Sequence, residues 1–168
     1  ISKDKDLKQL LTNAHVEIYD IHTDELVTQE SLKADMGIEP RQVIDMLALM
    51  GDTVDNVPGV EGVGPKTASK LIAEHGSLEG VLDAARAGKI KGKIGEKIAA
   101  AAARDDWGGL KLSHELVSLR HDVPVSLELP SAEARRFDLP PLIPILKELG
   151  FNRYQDEVRA LAGAERAS

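Results

Sequence analysis

Residues 51–68 read Gly51-Asp52-Thr53-Val54-Asp55-Asn56-Val57-Pro58-Gly59-Val60-Glu61-Gly62-Val63-Gly64-Pro65-Lys66-Thr67-Ala68. The segment joins two carboxylates to a glycine-rich turn that leads into a helical pattern. Gly62 and Gly64 permit a tight backbone and close approach of a ligand, and Pro65 suits the first turn of a helix. Amide N–H groups at such a helix start bind phosphate, and carboxylates suit a hard divalent cation. The segment therefore predicts a protein that acts on nucleic-acid backbones.

The glycine-rich turn also has other interpretations. A plain connection between two helices, without a ligand, remains open. A dinucleotide-binding loop is excluded because no βαβ pattern surrounds the glycines, and a Walker loop is excluded because the Gly-Lys-Ser/Thr ending is absent. Lys66 adds a positive charge and Thr67 a hydroxyl donor. Both side chains favour the phosphate-binding interpretation.

Composition limits the class of protein. The chain of 168 residues suits one domain or two small ones, and 42% of its residues are hydrophobic. It has no cysteine, which excludes disulfides and thiolate metal sites and predicts a cytoplasmic protein. No apolar run approaches the roughly 18 residues that span a bilayer, and no signal-peptide pattern is present, so no membrane partner is expected. Aromatic residues make up only 3%, which argues against a stacking platform for single-stranded bases.

Charge is unevenly distributed along the chain. The net charge is −7, and residues 1–58 alone carry 5 basic and 12 acidic side chains. Residues 59–112 carry 9 basic and 7 acidic side chains, and the basic ones include a run of lysines at Lys89, Lys91, Lys93 and Lys97. This run either extends a nucleic-acid footprint from the glycine-rich turn or forms an ordinary solvated face.

Periodicity and capping residues predict a mainly helical chain with one small hairpin of strands. The expected elements are a helix through Leu7–Leu11, strands at 16–19 and 25–27, a helix from Thr28 to Met36, a helix from Pro40 to Met50, a helix through Ala68–Ile72, a helix capped by Ser77, a helix at 95–104, a helix at 112–119, an extended segment at 123–129 and a final helix at 141–149. Residues 160–168 are expected to form a frayed tail.

Two pairs of aspartates are candidate metal ligands. Asp4 and Asp6 form an Asp-x-Asp pair, and Asp52 and Asp55 lie three residues apart, so that a helical turn would point them the same way. Either pair alone also fits solvated caps. A calcium loop that starts at Asp4 is excluded because Gln9 stands where such a loop requires glycine.

A weak internal repeat suggests a second hairpin. Gly64-Pro65-Lys66-Thr67-Ala68 recurs as Gly95-Glu96-Lys97-Ile98-Ala99, at a separation of 31 residues. A second phosphate-binding turn and a chance match are both open interpretations.

Taken together, these elements resemble the 5′-nuclease family, and in particular the 5′→3′ exonuclease domain of bacterial DNA polymerase I. The resemblance covers about residues 1–157. Its motifs are Asp4-Lys5-Asp6-Leu7, residues 51–68, His75-Gly76-Ser77-Leu78-Glu79, Lys91-Gly92-Lys93-Ile94-Gly95-Glu96-Lys97, Leu116-Val117-Ser118-Leu119-Arg120-His121-Asp122-Val123-Pro124 and Leu149-Gly150-Phe151.

The resemblance implies a function and a set of site residues. The family hydrolyses phosphodiester bonds at 5′ flaps and 5′ ends of duplex DNA in repair and replication, with two Mg²⁺ or Mn²⁺ ions held by carboxylates. The matching metal ligands here are Asp4, Asp6, Asp52 and Asp55, with no catalytic residue expected beyond them. A helix-hairpin-helix motif grips the duplex and often holds K⁺ through main-chain carbonyls. The expected DNA-binding residues are Gly59, Val60, Gly62, Val63, Gly64, Lys66, Thr67, Lys91, Lys93 and Lys97.

The same resemblance predicts the organisation of the chain. Residues 1–58 are expected to be a remnant of the α/β nuclease core, with the metal ligands and a small β element. Residues 59–158 are expected to form the helix-hairpin-helix subdomain, and residues 159–168 a tail or linker. The family carries further carboxylates on an N-terminal half, so the chain is expected to be a C-terminal portion with an incomplete metal site.

The expected setting is a monomer in the bacterial cytoplasm, at the nucleoid, bound to duplex or 5′-flap DNA and joined to the rest of a polymerase I chain. The alternative from another functional class is a non-catalytic helix-hairpin-helix module that binds DNA.

Overall fold

The computed structural model describes residues 1–128, 130 and 139–165, and the chain divides into two compact units, Ile1–His121 and Asp122–Ser168. The first unit contains the strands β1 (Ile18–Asp20) and β2 (Glu25–Val27) and the helices α1 (Gln29–Met36), α2 (Val43–Met50), α3 (Pro65–His75), α4 (Leu78–Arg86), α5 (Gly92–Ala102) and α6 (Leu110–Val117). Short 3₁₀ helices span Lys5–Thr12, Pro40–Gln42 and Trp107–Gly109. The predicted mainly helical fold is confirmed.

The N-terminal region contains a 3₁₀ helix and the β-hairpin. The first helix spans Lys5–Thr12, where the sequence predicts a helix, but it is a 3₁₀ helix rather than an α-helix. The strands β1 and β2 pair antiparallel, with Ile18 opposite Val27. The predicted pairing is therefore confirmed, although the first strand begins at Ile18 and not at Val16.

Capping residues set the ends of α1 as predicted. The Thr28 side chain accepts a hydrogen bond from the Ser31 N–H, and the Ser31 hydroxyl in turn accepts one from the Thr28 N–H. Gly37 ends the helix in the left-handed conformation, at φ 70°. Both ends follow from short-range hydrogen bonds and backbone freedom, which is why the sequence located them.

Helix α2 lies in the centre of the core of the first unit. Its buried side chains are Val43, Met46, Leu47, Ala48 and Leu49. The Asp45 carboxylate accepts a hydrogen bond from the Leu78 N–H at the start of α4 and lies 3.3 Å from Nε2 of His114 on α6. Burial raises the pKa of Asp45. This carboxylate therefore ties α4 and α6 to the central helix.

Gln9 links the N-terminal 3₁₀ helix to the end of α6. Its side chain is buried, its Nε2 donates to the Val117 carbonyl at 2.9 Å, and its Oε1 accepts from the Leu119 N–H at 3.0 Å. Because both ends of the amide are satisfied, this buried polar group stabilises the contact between elements more than 100 residues apart in sequence.

The helix predicted at residues 95–104 is displaced. Helix α5 spans Gly92–Ala102, with Lys91 as its N-cap. Gly95 lies inside this helix, where an added Cβ would be 2.0 Å from the Ile90 carbonyl oxygen. Gly64, by contrast, is the N-cap of α3. The two glycines thus have different structural positions, and the second hairpin suggested by the repeat is wrong.

In the second unit, α7 (Leu142–Glu148) and α8 (Asn152–Glu165) are joined by a short turn. Residues 123–128 belong to no helix or paired strand, so the extended segment predicted at 123–129 stays a prediction, and residue 129 lies outside the described residues. The prediction that the helix ending near residue 149 is the last one is wrong, since α8 follows it. The ring of Phe151 meets that of Tyr154 edge-on at 6.0 Å between centroids.

No helix in the described ranges is long and apolar enough to cross a membrane.

Candidate functional site

The hairpin, residues 59–64, is fixed to the end of α2 by buried side chains and backbone bonds. Val60 and Val63 are only 7% and 5% exposed. The Val60 N–H donates to the Leu49 carbonyl at 2.9 Å, and the Val63 N–H donates to the Val60 carbonyl at 3.0 Å. The turn requires Gly62 in the left-handed region, at φ 89°. The hairpin is therefore held as a rigid loop in front of α3.

Two glycines let the chain cross itself where the hairpin begins. A Cβ on Gly59 would lie 2.4 Å from the carbonyl carbon and oxygen of Met50. A Cβ on Gly51 would lie 2.7 Å from the backbone nitrogen of Gly59. Only glycine fits at either position, so the placement of the hairpin depends on both.

The outer face of the hairpin is open and rich in amide donors. A Cβ on Gly62 or Gly64 would meet nothing within 4 Å. Within the described part of the chain, the amides of Gly62, Gly64 and Lys66 donate to no protein acceptor. The Lys66 side chain is exposed at the N-terminus of α3, where the helix dipole favours an anion. Free backbone donors, open space at two glycines and an exposed lysine thus occur together within residues 62–66.

The predicted DNA-binding residues have different positions in the structure. Val60 and Val63 are buried, so any contact that they make with DNA uses their backbone. Gly62 and Lys66 are exposed, and Gly64 and Thr67 are half-buried. Lys91 and Lys93 are exposed at the start of α5.

Lys97 reaches the hairpin itself. Its Nζ donates to the Glu61 carbonyl oxygen at 3.2 Å and lies 2.8 Å from Oε2 of Glu61. Among the predicted DNA-binding lysines of α5, Lys97 therefore contacts the hairpin, and it does so mainly through the Glu61 carboxylate.

The second part of the site is the acidic corner, formed by Asp4, Asp6, Asp52 and Asp55. Asp4 caps the first 3₁₀ helix, and its Oδ1 accepts from the Asp6 N–H at 3.0 Å. Asp52 and Val57 exchange two backbone hydrogen bonds, which close a turn around Asp55. Within this turn, Oδ1 of Asp52 accepts from the Val54 N–H at 2.8 Å. Both aspartate pairs are thus held by local hydrogen bonds.

The acidic corner is electrostatically coupled. Burial raises the pKa of Asp6, and the charge of Asp4 raises it further, with smaller contributions from Asp55 and Asp52. Oδ1 of Asp6 is buried and has no hydrogen-bond partner among the described residues. A buried carboxylate oxygen of this kind fits a role in binding a cation. The sequence-based grouping of the four aspartates is consistent with this coupling, and their role as ligands stays a prediction.

Lys5 is the residue of this corner that the sequence analysis missed. Its Nζ forms an ion pair with Oδ2 of Asp52, and this hydrogen bond holds the pKa of Asp52 below its usual value. The same bond raises the pKa of Lys5. Its position between Asp4 and Asp6 in the sequence was the signal for this role, because a lysine between two aspartates places its ammonium group near carboxylates.

Replacing Lys5 by methionine is expected to raise the pKa of Asp52 toward its ordinary value. The pKa of Asp52 is lower in the folded state than in the unfolded chain. Ionised Asp52 therefore stabilises the fold at pH values above its pKa in the unfolded chain, and this stabilisation is lost as the pH falls through its pKa in the folded state. Lys5→Met removes that contribution and flattens the acid side of the stability curve. Carboxyl ¹³C NMR against pH measures the shift. Lys8→Met is the matched control, and an unchanged Asp52 pKa in Lys5→Met would contradict the assignment.

A groove of about 530 Å³ connects the acidic corner with the hairpin. Its lining includes Lys5 and Asp52 from the acidic corner and Gly59, Glu61 and Gly62 from the hairpin. The two candidate sites are therefore parts of one continuous surface in the first unit.

No cluster of three or more metal ligands is formed at the acidic corner among the described residues. Within residues 1–128, 130 and 139–165, no three or more His, Asp or Glu side chains are arranged to hold an ion. The carboxylates fit a hard cation in type, but they are too few in convergent geometry.

Comparison with known proteins identifies the family. The family described as "5'-3' exonuclease, C-terminal SAM fold" matches residues 38–139, which include the hairpin and both Asp52 and Asp55. The chain belongs to this family. Among curated relatives of this exonuclease family, the 5'-3' exonuclease of Aquifex aeolicus is 38% identical over 157 residues, which cover 94% of this chain and 50% of the relative.

Several relatives are DNA polymerases. DNA polymerase I of Bacillus subtilis is 38% identical over 157 residues, covering 90% of this chain and 17% of the polymerase. The thermostable DNA polymerase I of Thermus aquaticus is 41% identical over 152 residues, with the same two coverages. The chain thus spans half of the Aquifex exonuclease and a much smaller part of each polymerase.

Solved structures with the same fold come from bacteriophage T5. A T5 5'-exonuclease with bound divalent zinc ions has a TM-score of 0.55 and 26% identity, and the match covers 69% of this chain and 41% of that one. A variant of the T5 flap endonuclease in a complex with DNA and metal ions has a TM-score of 0.56 and 25% identity, with coverages of 69% and 40%. The likeness in structure therefore agrees with the likeness in sequence.

Proposed function

We propose that this chain is the DNA-gripping part of a metal-dependent 5′→3′ exonuclease and 5′-flap endonuclease of the DNA polymerase I type. The observation that carries the proposal is the groove that joins Lys5 and Asp52 to the hairpin. A DNA backbone held by the hairpin would follow this groove to the acidic corner. The T5 relative in complex with DNA and metal ions supports the same assignment.

The hairpin is proposed to bind duplex DNA through phosphates. Its free amides and the start of α3 suit a phosphate oxygen, and Lys66 adds a charge that contacts the backbone without reading bases. Lys91 and Lys93 are proposed to extend the footprint along α5, and a solvated face remains the other interpretation of these two lysines. K⁺ at main-chain carbonyls of the hairpin is proposed on the family resemblance alone.

The acidic corner is proposed to supply part of a two-metal site. Asp4, Asp6, Asp52 and Asp55 would hold Mg²⁺ or Mn²⁺ together with ligands from outside this chain, because the donors are of the right type but too few. When bound, the ions supply an activated water and stabilise the leaving oxygen. The residues present here position their carboxylates through the 3₁₀ helix and the turn closed by Asp52 and Val57.

The proposed partners follow from the relatives. Because polymerase I chains contain a segment like this one, the chain is proposed to work joined to the rest of such a polypeptide, as a monomer at the bacterial nucleoid in the cytoplasm.

The second candidate function is a DNA-binding module without catalysis. The ion pair between Lys5 and Asp52 favours it, since a lysine that neutralises a ligand competes with a metal ion. The two functions differ in one measurement, which is metal-dependent cleavage when the remaining half of the nuclease is supplied.

Duplex binding tests the proposed function directly. We expect a dissociation constant of roughly 10⁻⁴–10⁻⁶ M without base preference, and a slope of log K against log[salt] of about −0.9 for each phosphate neutralised. Lys66→Ala should weaken every duplex alike. Gly64→Ala should fold normally, because its φ is −96° and its Cβ meets open space, yet it should lower affinity by crowding the phosphate. Fluorescence anisotropy with a labelled duplex at several salt concentrations measures both effects.

The control for charge is Lys33→Ala, which removes a lysine on α1 that is paired with Glu39. Its affinity for duplex should equal that of the unmodified chain. Sequence-selective binding, a salt-independent constant or equal losses in Lys33→Ala and Lys66→Ala would contradict phosphate binding at the hairpin.

A further inference from the structure

Glu61 is an unusual residue for a surface that binds DNA. It is the single carboxylate between Asp55 and Glu74 in the sequence, and it lies in the middle of the hairpin. Its side chain is 89% exposed. A negative charge at this position opposes the approach of phosphate to the free amides that follow it in the hairpin.

Lys97 from α5 holds this carboxylate. Its ammonium group lies 2.8 Å from Oε2 of Glu61 and 3.2 Å from the Glu61 carbonyl oxygen, so it contacts both the side chain and the backbone of the hairpin. The hydrogen bond from Lys97 lowers the pKa of Glu61, which keeps the carboxylate charged. In the free protein, Lys97 is therefore neutralised by the hairpin's own acid.

The surroundings of the pair would let DNA reach it. A groove of about 320 Å³ runs along the hairpin and α5 and is lined by Gly59, Glu61, Lys97 and Arg104, among others. Arg104 is likewise paired with a carboxylate, that of Asp106 at 3.2 Å. An exposed ion pair of this kind is weak and screened by salt, so a phosphate is able to replace the carboxylate.

We infer that Glu61 is an internal competitor of DNA phosphate for Lys97, and that it sets the affinity of the hairpin for duplex DNA below what its donors alone would give. The inference rests on the proposed DNA binding by the hairpin. In the free protein Lys97 binds Glu61. On binding of duplex DNA, Lys97 transfers to a phosphate and the Glu61 carboxylate is left solvated beside it.

The salt dependence of binding distinguishes this competitor from a general charge effect. A lysine that is already neutralised by a carboxylate releases few additional counterions when it meets phosphate. With Glu61 replaced by the isosteric glutamine, Lys97 is free before binding and adds about 0.9 to the magnitude of the salt slope. The gain in affinity must therefore depend on Lys97.

The experiment compares duplex binding of the full chain with that of Glu61→Gln, Lys97→Ala and the double variant, over several salt concentrations. We expect Glu61→Gln to bind about 3- to 10-fold more tightly at low salt, with a slope steeper by about 0.9. Lys97→Ala alone should weaken binding by about 2-fold or more, because it removes the lysine that transfers to phosphate and leaves the Glu61 carboxylate unpaired. In the double variant the gain of Glu61→Gln should disappear.

Glu96→Gln is the matched control, because it makes the same change in net charge one residue from Lys97. Equal gains in Glu61→Gln and Glu96→Gln, or a gain that persists without Lys97, would overturn the inference. If the unmodified chain binds duplex and loses affinity in Lys66→Ala while Glu61→Gln changes nothing, only this inference fails. If no variant binds duplex even at low salt, the proposed function fails with it. Circular dichroism melting of each variant shows whether it is folded.

Discussion

Residues 1–168 alone are expected not to cut a 5′-flap DNA in the presence of Mg²⁺. The rate of flap cleavage should equal that of a blank without protein. Two-metal hydrolysis needs ions about 3.5–4 Å apart in a fixed set of ligands. Within the ranges that the structure describes, no three carboxylate or imidazole groups converge in this way. Mg²⁺ keeps its waters when its cage is incomplete, and Lys5 already neutralises Asp52. A quenched-flow or gel assay with a labelled flap measures the rate.

A chimera provides the positive arm of this test. The part of the Aquifex exonuclease that this chain does not match is joined to residues 1–168, since the two proteins are 38% identical over the shared region. We expect the chimera to cut the flap with Mg²⁺ or Mn²⁺. Enzymes accelerate reactions by about 10⁶-fold or more, so Asp52→Asn or Asp6→Asn should slow the chimera by at least about 10³-fold.

Three results would contradict this assignment. Flap cleavage by residues 1–168 alone, abolished by Asp52→Asn, would show that the chain holds a complete metal centre. A chimera that cuts normally with Asp52→Asn would show that Asp52 is not a ligand. An inactive but folded chimera that still binds duplex would favour the non-catalytic module.

Gly51→Ala is expected to lower the free energy of unfolding of this chain by about 2–5 kcal/mol, and to abolish duplex binding with it. Overpacking typically costs about 1–3 kcal/mol, and the added Cβ would lie 2.7 Å from the Gly59 nitrogen. Gly51 also has φ 73° and ψ 177°, a backbone region that is nearly exclusive to glycine and costs other residues about 1–3 kcal/mol more. Urea unfolding followed by circular dichroism measures the loss.

Gly59→Ala should lower the free energy of unfolding by about 1–3 kcal/mol, because the added Cβ clashes with the backbone of Met50 but the position carries no backbone strain. Gly64→Ala is the control in the same segment, and its free energy of unfolding should change by less than about 0.5 kcal/mol. A Gly51→Ala variant as stable as Gly64→Ala would show that the two backbone segments do not cross as described.

Local rules account for the elements that the sequence analysis located. Thr28 and Ser77 cap their helices through hydrogen bonds to amides three residues away, and Gly37 and Gly76 end helices with positive φ. Such signals involve neighbours in sequence, so they are visible without the fold. The same holds for the hairpin, whose glycines directly precede α3 and whose next residue, Pro65, begins that helix.

Errors in the sequence analysis arise where local signals are weak or ambiguous. The alanine-rich pattern predicts a helix from Gly95 to Arg104, yet α5 begins at Gly92 and uses Gly95 for close packing on Ile90. Packing within a unit overrides such local preferences. The prediction of a frayed tail at residues 160–168 is wrong, since α8 extends to Glu165 and its apolar residues Tyr154, Val158 and Leu161 recur at helical spacing.

The sequence by itself determined the helical class, the hairpin, the four aspartates and the resemblance to the nuclease family, because each depends on residue types at short, regular spacing. Only the tertiary structure decided the pairing of Lys5 with Asp52, of Gln9 with the end of α6, and of Lys97 with Glu61. The partners in these pairs are 47, 108 and 36 residues apart. Ion pairs and buried hydrogen bonds form between whichever groups the packed core brings within about 3 Å, and no periodicity along the chain encodes that distance.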